Sequence, residues 1–156
     1  MIVTHDIYAE TNPAFCSLVI SQFCNYYKLS VGKNPNIVLV YLILPLVLSN
    51  DLDQTFLKTN IKTGLLVWLD RNPSILINLD RRINSTLDIS TEAIKFGCLT
   101  TILNLEDDGT ISADISTLPR IKNNNAIMIK KSRQLGYWFS EMGSARATLE
   151  AMGLSL

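Results

Sequence analysis

The sequence predicts a mainly α-helical protein with one small β-hairpin: a winged-helix-like unit over about residues 60–115, with additional N- and C-terminal helices. Three observations lead there. Apolar residues recur at helical spacing along most of the chain. After Ile102 the spacing switches to alternation. Asp108-Gly109 stands where the alternation reverses, the strongest short hairpin signal there is. A chain of 156 residues is the size of one domain, long enough to bury roughly 70% of the surface its unfolded form exposes, so one core over residues 1–156 is expected.

The first helix opens at "NPAFCSLVISQFCNYY". Asn12 is a good N-cap, Pro13 suits the first helical position, and Cys16, Val19, Ile20, Phe23 and Tyr27 form one stripe. Phe15, Leu18 and Tyr26 widen that stripe, which implies burial on more than one side. Gly32 and Pro35 break the chain before "IVLVYLILPLVL", Ile37 to Leu48. This uncharged run is too short for a spanning helix of about 20 residues, and it reads as a core helix bent or ending near Pro45. "SNDLDQTFLKTN" is a connector with one helical turn.

In the winged-helix-like unit, Ile61, Leu65, Trp68 and Leu69 predict one helix that stops at "NP". Leu76, Leu79, Ile83 and Leu87 predict a second, and Ser90 caps a third through Ala93, Ile94, Cys98 and Ile102. Leu103 and Leu105 then alternate opposite Ile111, Ala113 and Ile115. Residues 116–126, "STLPRIKNNNA", have the composition of an exposed linker. C-terminal helices occupy about 127–153: one places Leu135, Phe139 and Met142 toward the core, and a short last one is capped by Ser144 and ended by Gly153.

The composition narrows the chemistry. Lys and Arg balance Asp and Glu at fourteen each, so no global field draws the protein onto DNA or an anionic membrane. A hydrophobic share of 47% beside a charged share of 18% suggests apolar surface covered by another chain. Cys16, Cys24 and Cys98 form neither a disulfide framework nor a zinc spacing and read as buried small residues in a reducing compartment. The N-terminus lacks a basic region followed by an apolar run, which leaves the cytoplasm as the expected location.

No cofactor or metal is expected and no enzyme activity. His5 is the single histidine and is poorly placed for a triad, while no Gly-Lys-Ser/Thr element makes a phosphate loop. Glu106, Asp107 and Asp108 coincide with the hairpin tip, where carboxylates are solvated. A winged helix is a common DNA reader, yet the third helix offers Lys95 alone, beside Glu92, and the tip is acidic. A stand-alone nucleic-acid-binding regulator is therefore the alternative, and binding to protein the favoured reading.

The basic region lies further on: Arg120, Lys122, Lys130, Lys131 and Arg133 occur with no acid between Asp114 and Glu141. With Tyr137 they form a candidate surface for a partner or for DNA within a complex. Trp138 is either core or an interface anchor.

In order and spacing, Asn12-Pro13-Ala14, "YLILPLVL", "TGLLVWL", "STEAIKFG", "DDGTI" and "KKSRQLGYWF" followed by "LEAMGL" resemble the middle component of bacterial three-component ABC systems, the group that includes Lamassu anti-phage defence. The resemblance covers almost the whole chain. It implies a non-catalytic bridging or accessory subunit that joins an SMC-like ABC ATPase to an effector, often a nuclease, and meets DNA through the assembled complex. No membrane partner is implied.

Overall fold

A computed structural model describes residues 12–116 and 126–155. His5, Arg120, Lys122 and most of the expected linker lie outside the described residues. The first helix forms as the sequence dictates. α1 (Pro13–Val31) starts where the Asn12 side chain accepts a hydrogen bond from the Ala14 N–H at 2.8 Å, and it ends at Gly32, φ 74°. Its buried face includes not only Val19, Ile20, Phe23 and Tyr27 but also Ser17, Ser21 and Gln22, because several later elements pack on the helix.

The apolar run folds as two short helices, α2 (Ile37–Val40) and α3 (Ile43–Val47). The interruption falls at Tyr41 and Leu42, not at Pro45. A proline clashes with the carbonyl four residues before it, here that of Tyr41, yet it is tolerated within a first turn whose N–H groups have no helical partner. α2 and α3 carry much of the core: Leu39, Val40, Ile43, Leu44, Leu46 and Val47 are buried. No single helix among the described residues is long and apolar enough to cross a membrane.

A 3-10 turn over Asn50–Phe56 leads to α4 (Leu65–Arg71), a second 3-10 turn over Pro73–Leu76, and the long α5 (Leu79–Leu99). Here the expected helices need correcting. Ile61 precedes α4 and is exposed, Leu76 and Leu87 are exposed, and the expected second and third helices are one continuous helix. Ser90 caps nothing; it sits mid-helix and fully buried. The true stripe runs Leu79, Ile83, Ser90, Ala93, Ile94 and Gly97 in one unbroken phase, with no Gly or Pro near Ser90 to stop it. The winged-helix arrangement is thus not confirmed.

The hairpin is where it was expected. β1 (Leu103–Leu105) and β2 (Ile111–Ala113) pair antiparallel in the register Leu103 to Ala113, Asn104 to Ser112 and Leu105 to Ile111. Gly109, φ 81°, supplies the left-handed residue the turn needs. The Pro35 carbonyl accepts from Ile111 N–H at 2.9 Å and Ile37 N–H donates to the Gly109 carbonyl at 3.0 Å, which fastens the hairpin to the start of α2. Leu103 and Ile111 are buried against the helices, whereas Leu105 and Ile115 are exposed.

α6 (Ala126–Ser140) and α7 (Ala145–Ala151) complete the chain, α7 with Ser144 Oγ accepting from Ala147 N–H. α1 lies at the centre: α6 and α5 both pack on it, and β2 rests on it. The described residues therefore form seven α-helices and one two-stranded antiparallel hairpin.

Candidate partner-docking surface

α6 carries the cations in front of consecutive aromatics, and its geometry decides which of them face outward. At Gly136 the helix comes close to α1: an added Cβ would lie 2.7 Å from the Phe23 carbonyl oxygen. Around that crossing the polar side chains of α6 bond inward. Ser132 Oγ donates to the Val19 carbonyl. Arg133 Nε donates to Gln22 Oε1 at 2.8 Å, and the guanidinium carbon lies 5.3 Å from the Tyr26 ring centroid, a cation–π distance.

Further round the helix, α6 grips the segment after α3. Lys131 Nζ pairs with Asp53 Oδ1 and stands 5.3 Å from the Phe56 ring centroid. Gln134 Nε2 donates to Thr59 Oγ1 at 2.7 Å and Trp138 Nε1 to the Asn60 carbonyl at 3.0 Å. Trp138 stacks nearly parallel on Phe56, with centroids 6.2 Å apart, and lies 5.4 Å from Trp68, whose Nε1 donates to the Thr55 carbonyl at 3.1 Å. A cluster of Phe56, Trp68 and Trp138 thus anchors residues 55–60 by ring packing and by both indole N–H groups.

This corrects the expected surface. The Lys131 side chain is only 6% exposed and Trp138 is fully buried, so neither faces a partner in the isolated chain. Arg133 and Tyr137 are half-buried, and Lys130 is exposed. Sequence reasoning missed Asp53, Phe56 and Gln22 as the groups that occupy the cations. The polar, aperiodic surroundings of Asp53 and Phe56 give no pattern, Gln22 reads as an ordinary polar position on α1, and all three lie far from α6 in the chain. A solvated surface patch would accept Glu at positions 130, 131 and 133 with little change in stability, and the burial of Lys131 excludes that here. Lys131→Glu should cost about 2 kcal/mol, less than a fully buried pair because Asp53 keeps 47% of its side chain exposed, while Lys130→Glu should stay within about 0.5 kcal/mol. Urea unfolding of the two variants checks this.

What α6 leaves open is a groove of about 270 Å³ between its first turns and the 3-10 turn. Leu57 and Ile127, 61% and 66% exposed, form its apolar lips, Phe56 its floor and Lys130 one rim. A second groove of about 260 Å³ lies between α2, the start of α5 and the C-terminal residues Leu149 and Leu154. Other large apolar side chains stand out on the surface: Leu66 and Val67 on α4, Ile77 before α5, Leu99 at its end, and Leu29 near the end of α1.

Several other ionisable groups do structural work. Asp108 Oδ1 accepts from both the N–H and the hydroxyl of Thr110, and those bonds hold its carboxyl below the usual carboxylate range. Glu106 accepts from Ser112 Oγ at 2.7 Å. The hydrogen bonds from Arg82 likewise hold Asp51 below its ordinary value. Lys95 stands 3.5 Å from Glu92, which partly neutralises the one cation on the latter half of α5. Burial pushes the Cys24 thiol far up; Cys16 is buried as expected, but Cys98 is exposed. Among the described residues no group of three or more His, Cys, Asp or Glu is placed to hold a metal ion.

Residues 2–156 match the family model described as "ABC-three component (ABC-3C) system Middle Component 3". No curated protein and no solved structure matches the chain. With all but its first residue matched, the chain belongs to the Middle Component 3 family of ABC-three component systems, a membership that implies the other components as its partners.

Proposed function

We propose that the chain is a non-catalytic cytoplasmic subunit that bridges an SMC-like ABC ATPase and an effector, often a nuclease, in a bacterial anti-phage defence complex of the Lamassu type. The observation that carries this reading is the match of residues 2–156 to a middle component. Two features of the molecule support a scaffolding role. Large apolar side chains such as Leu57, Leu66, Ile77 and Ile127 are spread over several elements, as a subunit with more than one neighbour would need. Most polar side chains of α6, Lys131, Ser132, Arg133 and Gln134, and Glu106 and Asp108 at the hairpin tip are engaged in holding the fold. DNA is met through the assembled complex, since Lys131 and Arg133 are already occupied by Asp53 and Gln22.

Reconstitution from separately purified components tests the proposal: the chain should bind both the ATPase and the effector, and the two should not associate stably without it. Sequence-dependent, salt-sensitive DNA binding by the isolated chain, with no binding to either component, would favour a stand-alone regulator instead. The absence of chemistry has its own check. His5→Ala combined with Glu106→Ala and Asp107→Ala should leave protection against phage unchanged in cells, and a complete loss in a normally expressed, folded variant would overturn it.

A further inference from the structure

The groove between the 3-10 turn and α6 has a chemistry of its own. Its lips, Leu57 and Ile127, are among the more exposed large apolar side chains of the molecule. They face a floor made rigid by Phe56, which is stacked on Trp138 and capped by Lys131. Exposed leucine and isoleucine over an ordered aromatic floor are poorly solvated, and covering them with a complementary apolar side chain is favourable without costly reordering. Three charged residues line the groove, Lys130 and Lys131 against Asp53, which leaves one positive charge in excess. Because Asp53 is already paired with Lys131, the unspent charge belongs to Lys130 at the rim. No acid occurs on the α6 side of the groove, since the chain carries none between Asp114 and Glu141. The volume of about 270 Å³ suits one or two apolar side chains of a peptide, not a folded domain.

Resting on the bridging reading above, we propose that this groove receives a short amphipathic segment of one of the other two components. An apolar side chain of that segment enters between Leu57 and Ile127, and an adjacent carboxylate pairs with Lys130. The contact is polar at the rim and apolar at the centre, the usual anatomy of a specific protein interface. Lys131 acts only as a positioning residue, since its pairing with Asp53 and its place over Phe56 hold the floor.

The experiment measures affinity of the full chain for each purified component, using wild type, Leu57→Asp with Ile127→Asp, Lys130→Glu, and Leu99→Asp as a control at the far end of α5. Each variant's unfolding midpoint is measured first; the lip and rim residues are exposed, so the midpoints should match wild type. The lip variant should lose about tenfold or more in affinity for one component and keep its affinity for the other. Lys130→Glu should weaken the same contact and reduce its dependence on salt, and Leu99→Asp should leave that contact intact. Equal binding by wild type and the lip variant overturns the groove assignment while leaving the bridging reading standing; a wild-type chain that binds neither component overturns both. Light scattering of the isolated chain separates a further case: a self-association abolished by the lip substitutions would show the groove to be filled by a second copy, and would overturn the proposal.

Discussion

Trp138→Ala should cost about 3–5 kcal/mol of folding stability, comparable to the whole margin of a domain near the lower end of the usual 5–15 kcal/mol. The indole is fully buried and packs on Phe56 and Trp68, so truncation opens a cavity in the middle of the cluster that holds residues 55–60. It also removes the donor to the Asn60 carbonyl, which adds the cost of an unmade hydrogen bond to the lost packing. Phe139→Ala should fall in the same range, since Phe139 is fully buried and meets the edge of Phe23 at 5.6 Å. Equilibrium unfolding in urea followed by circular dichroism measures both. A loss below about 1 kcal/mol at Trp138 would show that the cluster is not part of the stable core.

Gly136→Ala is a test in which two ordinary rules disagree in sign. Helix propensity alone predicts that alanine stabilises the middle of a helix by about 1 kcal/mol over glycine. The crossing predicts the opposite. An added Cβ would meet the Phe23 carbonyl oxygen at 2.7 Å, Tyr27 N at 3.1 Å and Tyr26 Cβ at 3.2 Å, and two of those three atoms are backbone that moves only if α1 and α6 separate. Overpacking of this kind costs about 1–3 kcal/mol. The alanine variant should therefore be destabilised, and Gly136→Val, with two further methyl groups in the same gap, should lose about 3 kcal/mol or more. A raised unfolding midpoint for Gly136→Ala would show that the helices can part at little cost.

The two expectations bear on what a sequence discloses. Features whose cause is local were legible: the Asn12 cap and Gly32 stop of α1, the Asp108-Gly109 turn with its alternating strands, and the Ser144 cap of α7. The misread features depend on groups distant in the chain. Ser90 has the residue type of a cap, but the burial of its neighbours along α5 comes from α1, and only that packing shows the helix to be continuous. Lys131 and Arg133 have the residue types of a surface patch, yet each is claimed by a partner 78 and 111 positions away. Gly136 gave no sign of its role, because a glycine inside a helical pattern looks like a weakness until the helix pressed against it is seen. The groove was invisible for the same reason. Its lips, Leu57 and Ile127, belong to segments with no common periodicity.

The shared anchoring of Trp68 and Trp138 has an optical consequence. These are the two tryptophans of the chain, and they stand 5.4 Å apart on the same ring, Phe56, that forms the groove floor. Emission excited in the indole band therefore comes from one spot of the molecule instead of being averaged over many. The protein carries an unlabelled fluorophore pair beneath its candidate docking site: unfolding should redden its emission as both buried indoles meet water, and a change on adding a partner would report through Phe56, the one ring the pair shares with the groove.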